Sequence, residues 1–450
     1  MKASDFIAKT IVKKGVSAVF ELSGGMITHL LDSLHLDSCV KVVSMHHEQG
    51  AAFAAEAAGR ITGIPGVAMA TSGPGATNLL TGIGSCYFDS SPAVFITGQV
   101  NRHEQKGDRV IRQLGFQETD IVAMARPITK GAWMVQSVAE LPHMLDRAFA
   151  LATAGRPGPV LLDIPMDVQR EAISEPVSEI NSVADDVSVE PRHLVAIRDA
   201  FLKARKPLIL AGGGIRSSCA TSAFRSFVDA SGIPVVHSLM GVDSLPSHHP
   251  LNAGMIGSYG NRWVNLTLND CDCLLVLGSR LDVRQTGAQT EAFKGTRPIF
   301  HVDIEPGELN NRVLGCYGVL SQLAPALAAL EEELGTVRQQ IEANTLEWRA
   351  SIAKLREKWP DTAELKSLEG INPNTFMHQL SRGSNAAAYV VDVGQHQMWA
   401  AQSLELTSRQ RFITSGGMGS MGFALPAAIG AAIVLDGSPV TVIAGDGGYQ

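Results

Sequence analysis

Glu48 is the residue of this chain whose type and place most readily suggest chemistry. It lies in Met45-His46-His47-Glu48-Gln49-Gly50, just after Val42-Val43-Ser44, which reads as the end of a strand. The alanine-rich run from Ala51 to Ala58 follows and predicts a helix, since Ala has the highest helix propensity. A carboxylate at such a junction faces ligand in open α/β sheets. In the first turn of a helix it also simply stabilises the positive end of the dipole. Two further stretches shift the balance toward ligand binding: Thr71-Ser72-Gly73-Pro74-Gly75-Ala76-Thr77-Asn78 after the next strand, and Gly445-Asp446-Gly447. Glycines in Thr414-Ser415-Gly416-Gly417-Met418-Gly419-Ser420-Met421-Gly422 allow close backbone approach to a ligand. The turn Ala211-Gly212-Gly213-Gly214 does the same after a strand, although such turns often serve tight packing alone.

The elements that must position these residues alternate. Apolar strands are expected at 16–20, 41–45, 66–70, 93–98 and 160–164, and again at 207–210, 234–238, 273–277 and 299–304. The last two fall at 388–393 and 440–444, with a helix over 426–434 between them. Long apolar strands separated by helices predict parallel, doubly wound sheets. The fold class is therefore α/β, with three consecutive doubly wound domains, the third incomplete. The domains are placed at 1–170, 192–360 and 374–450. The linker 171–191 contains no basic residue after Arg170 until Arg192, and a second linker spans 361–373.

Composition sets bounds. Among 450 residues, 45% are hydrophobic and 18% charged, as in ordinary globular chains, and the net charge of −7 argues against a nucleic-acid partner. The six cysteines are scattered, and the spacing of Cys271-Asp272-Cys273 suits neither a zinc knuckle nor a redox pair. Neither a signal-peptide core nor a membrane-length apolar run is present, so a cytoplasmic, non-membrane protein is expected.

The stretches at Glu48, at 71–78 and at 445–447 together resemble a thiamine-diphosphate-dependent enzyme of the acetolactate synthase type. Val391-Asp392-Val393-Gly394-Gln395-His396-Gln397-Met398-Trp399 is the most specific match. The resemblance implies that Glu48 hydrogen-bonds N1′ of the cofactor's aminopyrimidine and promotes deprotonation of its C2. It implies contacts to thiamine diphosphate from Gly24, Gly25, Pro74, Asn78, Val393, Gly394, Gln395, His396, Gly419, Asp446, Gly447 and Gly448. Met421 would prop the cofactor into its bent shape, and Asp446 would bind Mg²⁺ with a hard oxygen. Gln117, in Phe116-Gln117-Glu118, would serve catalysis on the substrate side. Lys130 matches as well, and Arg112 and His103 are candidate partners for a substrate carboxylate. The family's second metal ligand would follow Gln450, so the chain reads as a C-terminally truncated frame.

The middle region resembles the family's FAD-binding domain. Gly278-Ser279-Arg280-Leu281-Asp282-Val283-Arg284-Gln285-Thr286-Gly287 matches its Arg-x-Asp-x-Arg segment. FAD contacts are implied for Arg156, Gly212, Gly213, Gly214, Arg280, Asp282, Arg284, Asp303 and Ile304, the flavin being structural. Ser258-Tyr259-Gly260 and Val319 depart from that pattern. Ser23 and Met166 depart elsewhere, replacing a proline before the Gly24-Gly25 pair and a lysine near the substrate channel. The implied reaction decarboxylates pyruvate and transfers a hydroxyethyl unit to a second 2-keto acid, in a homodimer or tetramer with shared active sites and a possible regulatory small subunit. Three alternatives stay open: a carboligase using another carbonyl acceptor such as a keto sugar, a nucleotide-binding dehydrogenase, and a non-catalytic fragment.

Overall fold

The computed structural model describes residues 1–36, 39–174, 188–363 and 369–449. Most of the expected first linker, and the centre of the second, lie outside the described residues. Two compact units result: Met1–Ala184 together with Ile413–Gln450, and Asp185–Phe412.

The first sheet contains β1 (Ala18–Leu22), β2 (Lys41–Ser44), β3 (Gly66–Ala70), β4 (Ala93–Gln99), β5 (Gly131–Met134) and β6 (Pro159–Pro165). Their order is β2-β1-β3-β4-β6-β5, with every pairing parallel. Helices cover both faces, as parallel sheets require. On one side Ala3–Lys13, Thr28–Leu36 and Leu141–Thr153 bury Ile7, Ile11, Leu30, Leu145 and Phe149 against Val19, Val67 and Ile96. On the other, Glu48–Thr62 and Leu80–Asp89 pack Ala51, Ala55 and Ile83 against Phe20, Ala68 and Phe95.

The second sheet holds β7 (Pro207–Ala211), β8 (Val235–His237), β9 (Asn252–Met255), β10 (Cys273–Leu277), β11 (Ile299–Asp303) and β12 (Tyr317–Leu320). Its order is β12-β11-β10-β7-β8-β9, again parallel throughout. Strands β13 (Ala388–Val391), β14 (Arg411–Ile413) and β15 (Val440–Ile443) form a third sheet of three.

The expected strand at 16–20 lies two residues later, because Val16 closes the turn after the first helix with its N–H on the Ile11 carbonyl. Strands β5, β9, β12 and β14 were not anticipated. Each is three or four residues long and lies at a sheet edge, where apolar patterning is weakest.

Candidate active site

Strand order reverses between β1 and β3 in the first sheet, and ligands of open α/β sheets sit at the carboxyl ends of strands beside such a reversal. Gly24, Gly25, Glu48 and the stretch 71–78 gather there. A Cβ on Gly24, just past β1, would stand 2.5 Å from the Thr71 side chain just past β3. Thr71 Oγ1 accepts the Met26 N–H at 3.2 Å, joining the two turns, and Gly25 has open space around it.

Glu48 opens the Glu48–Thr62 helix and is 6% exposed. Its Oε2 accepts from Asn78 Nδ2 at 2.9 Å. Its Oε1 faces the turn at Gly75, where a Cβ would lie 3.2 Å away. Pro74 and Asn78 are the first and last residues of a short helix entered from Gly73, whose φ of +64° lies in the region that favours glycine. A Cβ on Gly73 would reach 2.9 Å from Cβ of Gln117, a non-glycine residue itself held at φ +66°. Backbone held in such sparsely populated regions clusters at functional sites. Glu48, Gly75, Asn78, Gly73 and Gln117 thus share one neighbourhood. Phe116 is 80% exposed. Glu118 ties its own loop, accepting the Lys106 N–H at 2.6 Å and the Leu114 N–H at 2.7 Å. Lys130 donates to the Ala154 carbonyl.

The same compact unit holds the glycine-rich turn. Gly419 has φ +71°, and Met421 is 64% exposed. The helix Ala424–Val434 then packs on Glu48–Thr62: Phe423 meets Phe53 edge-on at 5.2 Å, and a Cβ on Gly430 would stand 2.1 Å from the Ala54 carbonyl oxygen. Asp446 begins the last described turn, exposed, with Oδ1 accepting the Gly447 N–H at 2.9 Å. A pocket beside it is lined by Leu425, Val442, Ala444, Gly445, Asp446 and Tyr449. Gly448 lies in the same turn.

These surroundings fit a polar cofactor. Ser72 Oγ and Ser420 Oγ are buried without a hydrogen-bond partner, and orphaned buried hydroxyls need a ligand or water to offset their desolvation. Among the described residues, no group of three or more His, Cys, Asp or Glu could hold a metal ion.

In the second unit, Val393 and Gly394 follow β13, and Gln395 and His396 open the helix Gln395–Ser403. The N–H groups of such a first turn attract anions. His396 Nε2 is buried without a partner, and a Cβ on Gly394 would lie 2.6 Å from its ring. In the second sheet the order reverses between β7 and β10; of the expected flavin residues, 212–214 and 280–284 follow those two strands, while Asp303 ends β11. Gly212 and Gly214 are explained by packing: their Cβ atoms would stand 2.1 Å from the Gly278 carbonyl oxygen and 2.7 Å from Gly278 Cα. Gly213 would meet Met240 at 2.9 Å.

Asp282 caps the helix Val283–Thr286 and accepts from Gln285 Nε2 at 3.0 Å, with Arg280 4.0 Å away. Leu281 between them is buried at φ +51°. Arg284 lies 5.9 Å above the Tyr259 ring, and Asp303 Oδ1 accepts the Glu305 N–H, with Ile304 between the two. Arg280 and Arg284 are thus the groups of this turn suited to a nucleotide phosphate. Arg156 belongs to the first unit, where Nε donates to Ser90 Oγ at 2.8 Å.

Sequence reading missed a second acid. Glu56, two turns beyond Glu48, is fully buried; burial pushes its carboxyl up to about 7, with the charge of Asp89 adding and Arg60 opposing. Its signal was a charged residue inside an otherwise alanine-lined helix. Asp163, also fully buried, is raised by burial to about 7 while accepting from Thr97 at 2.7 Å and Gln99 at 2.9 Å.

The chain is similar along its length to known thiamine pyrophosphate enzymes. Residues 1–124 match the thiamine pyrophosphate enzyme N-terminal TPP binding domain, 194–330 the central domain, and 392–450 the C-terminal TPP binding domain. The chain is 36% identical over 451 residues to the acetolactate synthase isozyme 2 large subunit of Escherichia coli (strain K12), covering 100% of this chain and 79% of that protein. It is 36% identical over 451 residues to the acetolactate synthase large subunit of Lactococcus lactis subsp. lactis (strain IL1403), covering 99% and 76%. Over 455 residues it is 36% identical to acetolactate synthase 2, chloroplastic, of Nicotiana tabacum, covering 100% and 67%. With all three thiamine pyrophosphate domains in order and relatives of one name along its whole length, this chain belongs to the acetolactate synthase large-subunit family of thiamine-pyrophosphate-dependent enzymes.

Proposed function

We propose that this protein is a carboligase that decarboxylates pyruvate and joins the resulting two-carbon unit to a second 2-keto acid. The observation that supports this most is Glu48, buried at a strand-to-helix junction with one oxygen held by Asn78 and the other facing the Gly75 turn. Thiamine diphosphate supplies, when bound, the electron sink for loss of CO₂ and the carbon nucleophile for ligation. The protein's work is to bind, orient and manage one proton. Asn78 fixes the Glu48 carboxyl, so that Oε1 is the atom positioned to share a proton with the cofactor's pyrimidine ring. Gly24 and the Gly73–Gly75 turn keep side chains out of the space that ring needs, and Met421 supports it from the glycine-rich turn. Gln117 faces the substrate. Gly419, Gly447 and Gly448 are assigned to the diphosphate and Asp446 to Mg²⁺; Val393, Gly394, Gln395 and His396 are assigned to the diphosphate by the resemblance alone.

FAD is assigned a structural role at Arg280, Asp282, Arg284, Asp303 and Ile304, with Gly212, Gly213 and Gly214 shaping the turn; Arg156 is assigned to FAD by the resemblance alone. Three domains at 1–170, 192–360 and 374–450, joined by linkers 171–191 and 361–373, would work in a cytoplasmic homodimer or tetramer, with a regulatory small subunit as a further partner. Met166 favours a second reading. Without a cation at that position the entrance draws anionic acceptors less strongly, which suits a neutral acceptor such as a keto sugar.

The test is acetolactate formation from pyruvate with thiamine diphosphate and Mg²⁺, with and without FAD. Product that disappears in Glu48→Gln supports both the reaction and the role of the acid. Pyruvate consumption without acetolactate selects another acceptor, and no turnover of pyruvate refutes the proposal.

A further inference from the structure

The glycine-rich segment that carries Met421 is anchored by residues that play no part in the chemistry above. Asp89, the last residue of the Leu80–Asp89 helix, accepts two consecutive backbone N–H groups, Gly416 at 3.0 Å and Gly417 at 2.6 Å. Arg60 Nη1 donates to the Thr414 carbonyl at 2.8 Å. Ser415 Oγ lies 3.4 Å from Ser85 Oγ and accepts the Ser420 N–H at 3.1 Å. Behind this clamp sits Glu56, whose Oε1 accepts from Ser91 Oγ at 3.0 Å and lies 3.7 Å from Arg60 Nη1. The fit leaves no room for a side chain at Gly417, where a Cβ would meet Asp89 Oδ1 at 2.8 Å and Phe88 at 2.9 Å.

An acid at the C-terminal end of a helix is disfavoured by the helix dipole, so helix stability does not account for Asp89. Its two oxygens instead take a pair of amides that glycine leaves accessible. Arg60 and Glu56 stand on the helix that begins at Glu48, so the clamp registers the Met421 turn against the helix bearing the acid.

We propose that Asp89 is a positioning residue, with Arg60 as its partner: together they set the backbone of 414–417 so that Met421 is presented for cofactor binding. This rests on the thiamine diphosphate assignment and adds the device that preorganises one side of the site.

The experiment measures Asp89→Asn and Arg60→Lys in the full chain, by two readouts. One is amide hydrogen exchange of the 412–422 peptide without cofactor. The other is the dissociation constant of thiamine diphosphate with Mg²⁺ present, by calorimetry. Weakening a charge-assisted hydrogen bond predicts roughly tenfold or greater loss of affinity and matching loss of protection at 414–417, with β4 and the Leu141–Thr153 helix unchanged. Arg60→Lys, which keeps the charge but not the guanidinium, should lose less of both than Asp89→Asn does.

Unchanged protection at 414–417 in Asp89→Asn overturns the proposal. So does a uniform loss of protection across the first unit, because that is what a merely structural residue gives. If the wild-type chain binds no thiamine diphosphate, the proposed function fails, and selective deprotection of 414–417 then still upholds the clamp while unchanged protection refutes it.

Discussion

Substituting Gly430 by alanine tests how tightly the two small-residue helices of the site must approach. The Cβ would stand 2.1 Å from the Ala54 carbonyl oxygen and 2.7 Å from Ala54 Cα, atoms of a neighbouring backbone that no rotamer change can move. An ordinary carbon–oxygen contact is about 3.3 Å or more, so the helices must part by roughly 1 Å. Overpacking of that kind costs about 1–3 kcal/mol, offset by the ~0.5–1 kcal/mol that alanine gains over glycine inside a helix. A net loss of about 1–2 kcal/mol is expected, confined to Glu48–Thr62 and Ala424–Val434. Hydrogen exchange with peptide resolution is the assay, since two compact units need not unfold together. Amides in both helices should exchange about 5–30 times faster. Gly335→Ala is the control: nothing lies within 4 Å of its would-be Cβ, so it should be neutral or slightly stabilising. Unchanged exchange in Gly430→Ala, or equal effects of the two substitutions, would refute the packing argument.

Further outcomes are expected. Native Glu56 keeps its proton to about pH 7, whereas the unfolded carboxyl releases it near 4.5. The native state therefore binds more protons in between, and stability should fall as pH rises across that window, by about 3 kcal/mol in full. Denaturant melts from pH 4.5 to 8 should show this slope reduced in Glu56→Gln. Asn78→Ala removes the donor to Glu48 Oε2, and acetolactate formation at saturating cofactor should drop about tenfold or more. His378 lies between Asp361 at 2.9 Å and Glu405 at 3.0 Å, and its hydrogen bond to Asp361, more than any other contact, holds its pKa above the ordinary 6.5. Its stabilisation is present below pH 6.5 and is lost as pH rises through the higher native value. Proteolysis around Asp361 should accelerate with that rise, and His378→Gln should be cut readily at both pH extremes.

Much of this was legible because parallel strands buried on both faces are almost continuously apolar. Gly66–Ala70 and Cys273–Leu277 coincide with β3 and β10 to the residue. The edge strands were not legible: Tyr317–Leu320 is buried chiefly at Val319 and carries no pattern that distinguishes it from a loop. Candidate site residues were read from their surroundings in sequence, but their partners are long-range. Nothing near Asn78 indicates that its amide meets Glu48, thirty residues earlier. Nothing near Asp89 points to Gly416, which the chain reaches only after 327 residues. The glycines of 212–214 show the opposite limit, since their pattern suggests a nucleotide while their immediate geometry answers to Gly278.

The contact between the alanine-lined helix and the helix containing Gly430 has a consequence for how this protein can vary. Where two backbones touch, there is no side chain to exchange for a slightly larger or smaller one, so the ordinary route of compensating substitutions is closed. Change at Ala54, Gly430 or their neighbours would have to come as a coordinated shift of whole helices or not at all. Adaptation to new acceptors should accordingly accumulate around Gln117 and Met166, while this pair of helices stays fixed as the frame against which those positions are tuned. In a saturation library scored for folding, tolerated substitutions should thin out along these two helices even where the side chain lost is only a methyl group.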